Sequence, residues 1–317
     1  MNILLTGAAG YIGSHVARLL QQSGHSVFGA DDLSTGFAPR FDGKIEQIDL
    51  AEADAVERLK STFVANKIEA VVHLAARKQV GESVQKPEWY YAQNIGGLAN
   101  LLTAMRETKV QKLLFSSSAA VYGMPDSTVI TEDIHCQPIN PYGETKLIGE
   151  WLVADAGRAW GLKHVSLRYF NVAGAGWEDL ADTAVANLIP IAFAAIRAGE
   201  PVRVFGDDYP TDDGSCVRDY IHVLDLAEAH KSALEYLDQA NREHAVFNVG
   251  TGRGASVFEV LAAIREQTGI DFKVSVESRR AGDPPKLSAD VTRIQSTLNW
   301  QAENDLESIV ASAWLAN

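Results

Sequence analysis

Short, almost fully apolar runs alternate with longer amphipathic runs through the first half of the chain. The short runs are typical of strands that are buried on both faces of a sheet, and they lie at residues 3–5, 26–30, 70–74, 112–116 and 164–168. The longer runs have the periodicity of helices and lie near residues 12–23, 52–65, 87–108 and 142–160. This strict alternation predicts right-handed crossovers and an α/β fold with a Rossmann-type doubly wound parallel sheet.

The pattern changes after about residue 171, where loops become longer and richer in Gly, Pro and Asp. Helical runs near 186–198, 223–239, 256–268 and 304–316 are joined by strand-like runs at 202–205, 245–249 and 272–276. We therefore expect a larger domain of residues 1–172, completed by about 216–250, in which one strand returns to the large sheet. The remaining residues, about 173–215 and 251–317, are expected to form a smaller mixed α/β C-terminal lobe that binds substrate.

Composition narrows the class of protein. The 317 residues include 46% apolar and 22% charged side chains, which are globular proportions. The chain carries 28 Lys and Arg against 41 Asp and Glu, and the net charge of −13 disfavours nucleic-acid and anionic-membrane partners. Two cysteines, Cys136 and Cys216, support neither a disulfide framework nor a cysteine-rich zinc site. No apolar run approaches the ~20 residues of a membrane span, so we expect an acidic cytoplasmic protein.

A glycine trio follows the first predicted strand and opens the first predicted helix. It is Gly7-Ala8-Ala9-Gly10-Tyr11-Ile12-Gly13, in which Gly7, Gly10 and Gly13 allow a tight turn and close approach to a pyrophosphate. The positive end of the helix faces the same phosphates, so Tyr11 and Ile12 at its start also belong to the expected site. The sequence predicts that the larger domain binds a dinucleotide.

Two acidic positions bear on which dinucleotide is bound. Asp31 lies 18 residues after Gly13, where a carboxylate accepts hydrogen bonds from the adenosine ribose and repels a 2′-phosphate. This position favours NAD over NADP, although an Asp that only caps a turn would occupy the same place. Asp49 and Leu50 end the stretch 44–50 and are candidates for adenine contact, and a plain turn is an equal alternative for Asp49.

A serine, a tyrosine and a lysine form the candidate catalytic set. Tyr142 and Lys146 share one helix face because a four-residue step turns about 400° and rises about 6 Å. Ser118 ends the fourth predicted strand, at the carboxyl edge where a hydroxyl meets substrate. Tyrosine near its usual pKa of about 10 is a poor base at pH 7, and a buried ammonium and a positive nicotinamide ring would lower that pKa. Taken alone, a Tyr-x-x-x-Lys pair is usually just a helix surface.

Further segments carry a resemblance over nearly the whole chain. In order they are 73–83 (HLAARKQVGES), 116–123 (SSSAAVYG), 140–146 (NPYGETK), 168–171 (RYFN), 206–214 (GDDYPTDDG), 217–223 (VRDYIHV) and 279–283 (RRAGD). With the glycine trio, the sequence resembles the extended short-chain dehydrogenase/reductase superfamily and, more narrowly, its UDP-glucose (UDP-galactose) 4-epimerase family. The resemblance implies an NAD-dependent isomerase that inverts C4 of a UDP-hexose through a transient 4-keto sugar.

The resemblance also implies residue roles. Tyr142 would be the base, Lys146 its activator and a ligand of the nicotinamide ribose, and Ser118 the partner of the sugar 4-oxygen. Lys78 and Asn94 would help to hold NAD. The UDP group would be held by residues of the second half, namely Asn171, Asn187, Arg218, Arg280 and Asp283. Isolated arginines such as Arg218 and Arg280 are also usual surface residues. His73 and His222 are interpreted as structural, and no metal is expected because neither has metal-ligand spacing around it.

Departures from the family pattern leave the sugar open. The segment 173–186 is shorter than in the family, and Leu287 stands where some members have Tyr, which suggests room for an N-acetylated sugar. A uronate-specific enzyme is a further alternative. A 4,6-dehydratase is disfavoured because Ala119-Ala120 replaces its proton-transferring pair, and a non-catalytic NAD-sensing regulator because the catalytic set is complete. The resemblance implies a homodimer through the helices near 87–108 and 142–160, whose apolar faces are equally consistent with an ordinary core.

Overall fold

The computed structural model describes residues 1–239, 244–280 and 283–316, so residues 281 and 282 of the 279–283 segment lie outside the described residues. The chain forms two compact units. Unit 1 comprises Met1–Gly123, Cys136–Arg168 and Ala227–Phe247. Unit 2 comprises Met124–His135, Tyr169–Leu226 and Asn248–Asn317. Among the described residues, no helix is both long enough and apolar enough to cross a membrane.

The strands are numbered in chain order. They are β1 (Asn2–Thr6), β2 (Ser26–Asp31), β3 (Ile45–Gln47), β4 (Ala70–His73), β5 (Lys112–Ser118), β6 (Val129–Ile130), β7 (Lys163–Tyr169), β8 (Asn171–Ala173), β9 (Val202–Phe205), β10 (Val217–His222), β11 (His244–Val249), β12 (Gly254–Ser256), β13 (Val274–Glu277) and β14 (Lys286–Ala289).

The helices are numbered in the same way. They are α1 (Tyr11–Gln22), α2 (Ala55–Asn66), α3 (Val80–Gln85), α4 (Pro87–Tyr91), α5 (Gly97–Thr108), α6 (Pro141–Trp160), α7 (Leu188–Ala198), α8 (Val223–Asp238), α9 (Val257–Thr268), α10 (Thr292–Leu298) and α11 (Leu306–Ala316). A π-helical turn, Ala92–Gly96, joins α4 to α5. Short 3₁₀ helices span Ala38–Arg40, Ala119–Tyr122 and Glu178–Leu180.

A seven-stranded sheet in the order β11-β7-β5-β4-β1-β2-β3 confirms the predicted α/β fold. The pairs β2–β3, β1–β2, β1–β4 and β4–β5 are parallel. Its central strands are apolar because helices cover them, and Leu4 and Val71 are fully buried in one core with Phe63 of α2 and Leu101 of α5. The strand order reverses at β1, where dinucleotides bind beyond the carboxyl ends of such sheets.

Unit 2 has smaller sheets. One has the order β12-β10-β14-β6, with β8 also paired to β10, and the other joins β9 to β13. The helices α7, α9 and α11 supply its core, in which Phe193, Ile264 and Val310 are almost fully buried. Unit 2 therefore has a hydrophobic core of its own.

The division of the chain differs from the expected one in several segments. Residues 216–226 and 124–135 belong to unit 2, because β10 pairs with β12 and β14, and β6 pairs with β14. Residues 169–172 also fall in unit 2. The strand that returns to the large sheet is β11, as expected for part of 216–250. The strand expected at 272–276 lies at Val274–Glu277.

Candidate active site

The turn between β1 and α1 is shaped for a close-lying group. Gly7 has a φ of +76°, which favours glycine. A Cβ added to Gly13 would lie 1.9 Å from the carbonyl oxygen of Gly7, so only glycine fits there. Gly10 is the N-cap of α1, which begins at Tyr11 and has no side-chain cap. Because the first amides of a helix lack partners within it, the turn fits the diphosphate of a dinucleotide.

Asp31 ends β2 beside this turn and is 7% exposed. Its Oδ2 accepts from the amide of Ala9 at 3.0 Å, and its Oδ1 accepts from the amide of Leu33 at 2.9 Å. Burial raises the pKa of Asp31, and these backbone hydrogen bonds oppose that rise. The carboxylate therefore fixes the turn, and an ionised oxygen has lone pairs left for a ribose hydroxyl.

The other predicted cofactor residues of the first half lie around the same edge. Tyr11 and Leu50 are buried, Ile12 is half-buried and Lys78 is exposed. Asp49 accepts from the amide of Ala51 at 2.8 Å, which is the turn that the sequence left as an alternative to adenine contact.

Asn94 lies on the π-helical turn and fixes the loop after β4. Its side chain accepts from the amide of Arg77 at 2.8 Å and donates to the carbonyl of Arg77 and to the Oγ1 of Thr145, each at 3.0 Å. It thereby holds the loop that carries Lys78 against α6. A role for Asn94 and Lys78 as NAD ligands stays a prediction.

We expect Gly13→Ala to abolish cofactor binding, because its Cβ would overlap the Gly7 carbonyl and force the turn open. The retained NAD per protein chain, measured after desalting, should fall to near zero. Gly81→Ala is the matched control, since nothing lies within 4 Å of an added Cβ there. A Gly13→Ala protein that keeps its full NAD content would contradict this assignment of the turn.

The catalytic candidates meet where α6 packs against the end of β5. The helix begins sharply, because the side chain of Asn140 accepts from the amide of Gly143 at 2.9 Å and Pro141 occupies the first turn. A Cβ on Gly143 would lie 2.6 Å from the Ala120 carbonyl, so glycine permits this close approach. The Tyr142 side chain thereby lies close to the Ser118 side chain.

Lys146 lies one turn further along α6 and is 4% exposed. Its Nζ donates to the carbonyl of Ser116 at 2.8 Å and lies 5.9 Å from the centroid of the Tyr142 ring. Burial lowers the pKa of Lys146 to about 8, so the side chain remains mostly charged at pH 7. Burial raises the pKa of Tyr142, and its bond to Ser118 partly opposes this. The protein groups alone therefore do not lower the pKa of Tyr142 as the sequence interpretation required.

A buried polar network beneath these residues escaped the sequence interpretation. Glu150, one turn after Lys146, accepts from Nε and Nη2 of Arg168 at 2.9 and 2.6 Å. It also bonds Oγ of Ser117, and Arg168 donates to the Tyr122 hydroxyl at 2.8 Å. Because Ser117 precedes Ser118, the network fixes the strand end that presents the hydroxyl of Ser118, a catalytic candidate. The four-residue step from Lys146 to Glu150, which places both side chains on one face of the helix, was the sequence signal that could have predicted the network.

In unit 2, β10 and β14 bring three predicted substrate residues together. Arg218 and Leu287 are register partners. Nη2 of Arg218 lies 3.4 Å from Oδ1 of Asp283, and Nη1 of Arg218 donates to the carbonyl of Pro284 at 2.7 Å. A guanidinium fixed in this way is suited to phosphate oxygens.

The other substrate candidates of unit 2 are exposed. Asn171 is paired with Tyr220 in the sheet. Asn187 is the N-cap of α7 and makes no side-chain capping bond. The guanidinium of Arg280 lies 3.9 Å from the Phe205 ring centroid. No bond between these three side chains and Arg218 is seen among the described residues.

The two histidines have protein partners. Nδ1 of His73 lies 2.8 Å from Oγ1 of Thr6, and burial, with the charge of Lys146, lowers the pKa of His73 to about 3. Nε2 of His222 lies 2.9 Å from Oγ of Ser312. In the part of the chain that the structure describes, no three His, Cys, Asp or Glu side chains form a metal site.

Comparisons with known proteins identify the family. The model of the NAD dependent epimerase/dehydratase family matches residues 3–250. The chain is 43% identical to the UDP-glucose 4-epimerase of Lactobacillus helveticus over 323 residues, which cover 99% of this chain and 96% of that protein. It is similar to the structure of UDP-glucose 4-epimerase from Brucella ovis in complex with NAD, at 43% identity and a TM-score of 0.94, covering 98% and 97% of the two chains. It is also similar to the UDP-Glc/GlcNAc 4-epimerase of Campylobacter jejuni, at 41% identity and a TM-score of 0.86, covering 99% and 98%. The chain therefore belongs to the NAD dependent epimerase/dehydratase family.

Proposed function

We propose that the protein is an NAD-dependent epimerase that inverts C4 of a UDP-hexose and interconverts UDP-glucose and UDP-galactose. The observation that carries this function is the approach of the Tyr142 side chain to Ser118 and to the buried Lys146, at the end of β5. That end lies on the same edge of the sheet as the glycine turn. Full-length relatives named UDP-glucose 4-epimerase support the same reaction.

Each catalytic residue has one task. Tyr142 takes the proton from the sugar 4-hydroxyl and returns it, and Ser118 hydrogen-bonds the 4-oxygen. Lys146 holds the nicotinamide ribose and keeps a positive charge near Tyr142, which must be a phenolate when it accepts that proton. When bound by the glycine turn, Asp31, Lys78 and Asn94, NAD supplies the acceptor and donor of the C4 hydride and a positively charged ring. Opposite charge stabilises the phenolate, which offsets the pKa-raising effect of burial.

Unit 1 is thus the proposed cofactor domain and unit 2 the proposed substrate domain. In unit 2, Arg218 and Arg280 bind the diphosphate, Asn171 and Asn187 hold the uridine nucleotide, and Asp283 binds near its ribose. Inversion requires the sugar to present both faces, so the hold on UDP must be firm and the hold on the hexose loose. Arg218, which Asp283 and the Pro284 carbonyl hold in place, meets the first part of that requirement.

Two neighbouring chemistries are less well supported. A dehydratase needs groups that transfer protons beside the strand-terminal serine, and the 3₁₀ helix there begins with Ala119 and Ala120. A non-catalytic NAD sensor has no use for the complete Ser118, Tyr142 and Lys146 set.

A coupled assay of the purified protein without added NAD tests the proposed function. The protein should convert UDP-galactose to UDP-glucose, which is detected by a UDP-glucose dehydrogenase as coupling enzyme. Heat-inactivated protein is the control. Bound NAD without any conversion of UDP-galactose would overturn the proposal.

Leu287 sets an expectation for the sugar range. It is half-buried in β14, and its side chain is smaller than the Tyr of some family members. We expect UDP-N-acetylgalactosamine to be a second substrate, and Leu287→Tyr to reduce its turnover at least about tenfold while UDP-galactose is still converted. Leu287→Met, which keeps a flexible apolar side chain, is the control. A parent protein that leaves the N-acetyl sugar untouched at high enzyme concentration would contradict this expectation. UDP-uronates belong in the same panel.

We also propose a homodimer and a cytoplasmic location. Trp151 on α6 is 58% exposed, and burial against a second copy would remove this apolar surface from water. Light scattering should give twice the chain mass, and Trp151→Glu should shift it to the monomer; a monomeric parent would refute the dimer.

Cys136 and Cys216 are free thiols, which suits a reducing compartment, and cell fractionation tests the location.

A further inference from the structure

Arg77, in the loop after β4, forms an ion pair with Asp32, in the loop after β2. Nη2 of Arg77 lies 2.5 Å from Oδ2 of Asp32, and the two side chains are 17% and 25% exposed. This pair is therefore less screened by solvent than an ordinary surface pair. Neither residue belongs to the catalytic set or to the predicted cofactor ligands.

The pair joins the two loops that flank the glycine turn. In the sheet, β1 lies between β4 and β2, so the turn that follows β1 lies between the two loops. On one side the amide nitrogen of Ala75 would be 2.8 Å from a Cβ on Gly7. On the other side the amide of Phe37 donates to the carbonyl of Ala9 at 3.0 Å. A link between these loops therefore spans the carboxyl end of β1, which is the end of the sheet at which a dinucleotide binds.

Protein groups already occupy the guanidinium of Arg77. Nη1 donates to Oγ of Ser34, and Nε and Nη2 donate to Oε1 of Gln93 at 3.2 and 3.0 Å. The guanidinium carbon lies 5.0 Å from the centroid of the Trp89 ring. The main chain of Arg77 is bonded at both its N–H and its carbonyl by Asn94. With most of its five donors used, Arg77 is built as a bridge and not as a phosphate ligand.

We propose that the Arg77–Asp32 pair is a strap that closes over the bound NAD and slows its release, which makes Arg77 a positioning residue. This inference rests on the proposed function only for the identity of the cofactor. An epimerase makes no net redox change, so its cofactor gains nothing by exchanging between turnovers. A strap that must open before NAD leaves or enters would keep the cofactor in place.

Cofactor exchange in the holoenzyme tests the strap. Parent, Arg77→Met, Arg77→Lys and Asp32→Asn proteins are incubated with isotopically labelled NAD, and the rate at which label enters the protein is measured. We expect exchange to be about tenfold to hundredfold faster in Arg77→Met and Asp32→Asn, as for the loss of charged hydrogen bonds. Arg77→Lys, which keeps the charge, should lie in between. The matched control is Arg58→Met, which removes the Arg58–Glu46 pair elsewhere in unit 1.

The equilibrium constant distinguishes a strap from a ligand. Opening a strap speeds entry as well as exit, so the Kd for NAD should rise by much less than the exchange rate. If the Kd rises by the same factor as the exchange rate, Arg77 is an NAD ligand and the proposal is overturned. Exchange at the parent rate in both Arg77→Met and Asp32→Asn would also overturn it. If NAD exchange is accelerated equally in Arg58→Met, the effect comes from a general loosening of unit 1, and the strap is overturned. If Arg77→Met fails to fold, the near-isosteric Asp32→Asn decides. Exchange is measured without a UDP-sugar, so an inactive enzyme overturns the proposed function and leaves this test standing.

Discussion

Tyr142→Phe is expected to lower kcat by about 10²–10⁴-fold, the usual contribution of a positioned acid–base group. The substitution removes only the phenolic hydroxyl and leaves the ring beside Lys146 in place. The protein should therefore keep its NAD and its fold. The measurements are kcat for UDP-galactose and the NAD retained per chain after desalting.

Tyr91→Phe is the matched control for this substitution. Its hydroxyl donates to Oε2 of Glu144, which lies on the same first turns of α6, at 2.7 Å. It removes a neighbouring phenol without touching Ser118 or Lys146, so kcat should change by less than about threefold, as expected for a group outside the reaction. A Tyr142→Phe enzyme that stays within tenfold of the parent would exclude Tyr142 as the base.

The same variant separates an enzyme from a sensor. A non-catalytic regulator would bind NAD equally well with Phe at this position and would have no turnover to lose. The parent enzyme is expected to turn over UDP-galactose and to lose that activity with the hydroxyl. Retained NAD with lost turnover therefore supports the catalytic assignment specifically.

Local sequence signals predicted the first unit well. The glycine turn, the end of β5 and the first turns of α6 are each set by neighbouring residues, such as Asn140 and Pro141 at the start of α6. The apolar runs predicted the central strands because those strands are buried on both faces, which makes their pattern continuous. The confirmed sheet follows from that pattern together with the handedness of crossovers.

Contacts between distant segments could not be predicted in the same way. The strand β6 has two residues and pairs with β14 in a register of Ser288 with Val129, which no periodicity over two residues can signal. The Arg77–Asp32 pair joins two loops that are 45 residues apart in the sequence. Each of the two residues, taken alone, looks like an ordinary surface charge, so the sequence does not indicate the pair. The turn at Asp49 was left open for the same reason, since a carboxylate after a strand has several possible partners.

Removing one member of the buried Glu150–Arg168 pair is expected to destabilise the fold by about 3–5 kcal/mol, because the other charge is left without its partner. Both side chains are 7% exposed, and two hydrogen bonds join them. Burial lowers the pKa of Arg168, but the bonds and charge of Glu150 outweigh burial and raise it overall. Urea unfolding at pH 7 of Arg168→Leu and Glu150→Leu measures the two losses in free energy.

The double variant Arg168→Leu/Glu150→Leu should lose much less than the sum of the two single losses, because no uncompensated charge remains buried. Some loss persists, since Ser117 and Tyr122 each lose one hydrogen bond. Arg158→Leu, which removes an exposed pair with Asp155 on the same helix, should cost under about 1 kcal/mol. Strictly additive losses would show that the two charges are not coupled. Glu150 also bonds Ser117, which precedes Ser118 at the end of β5. Because each single variant disturbs this contact, it should also lower kcat.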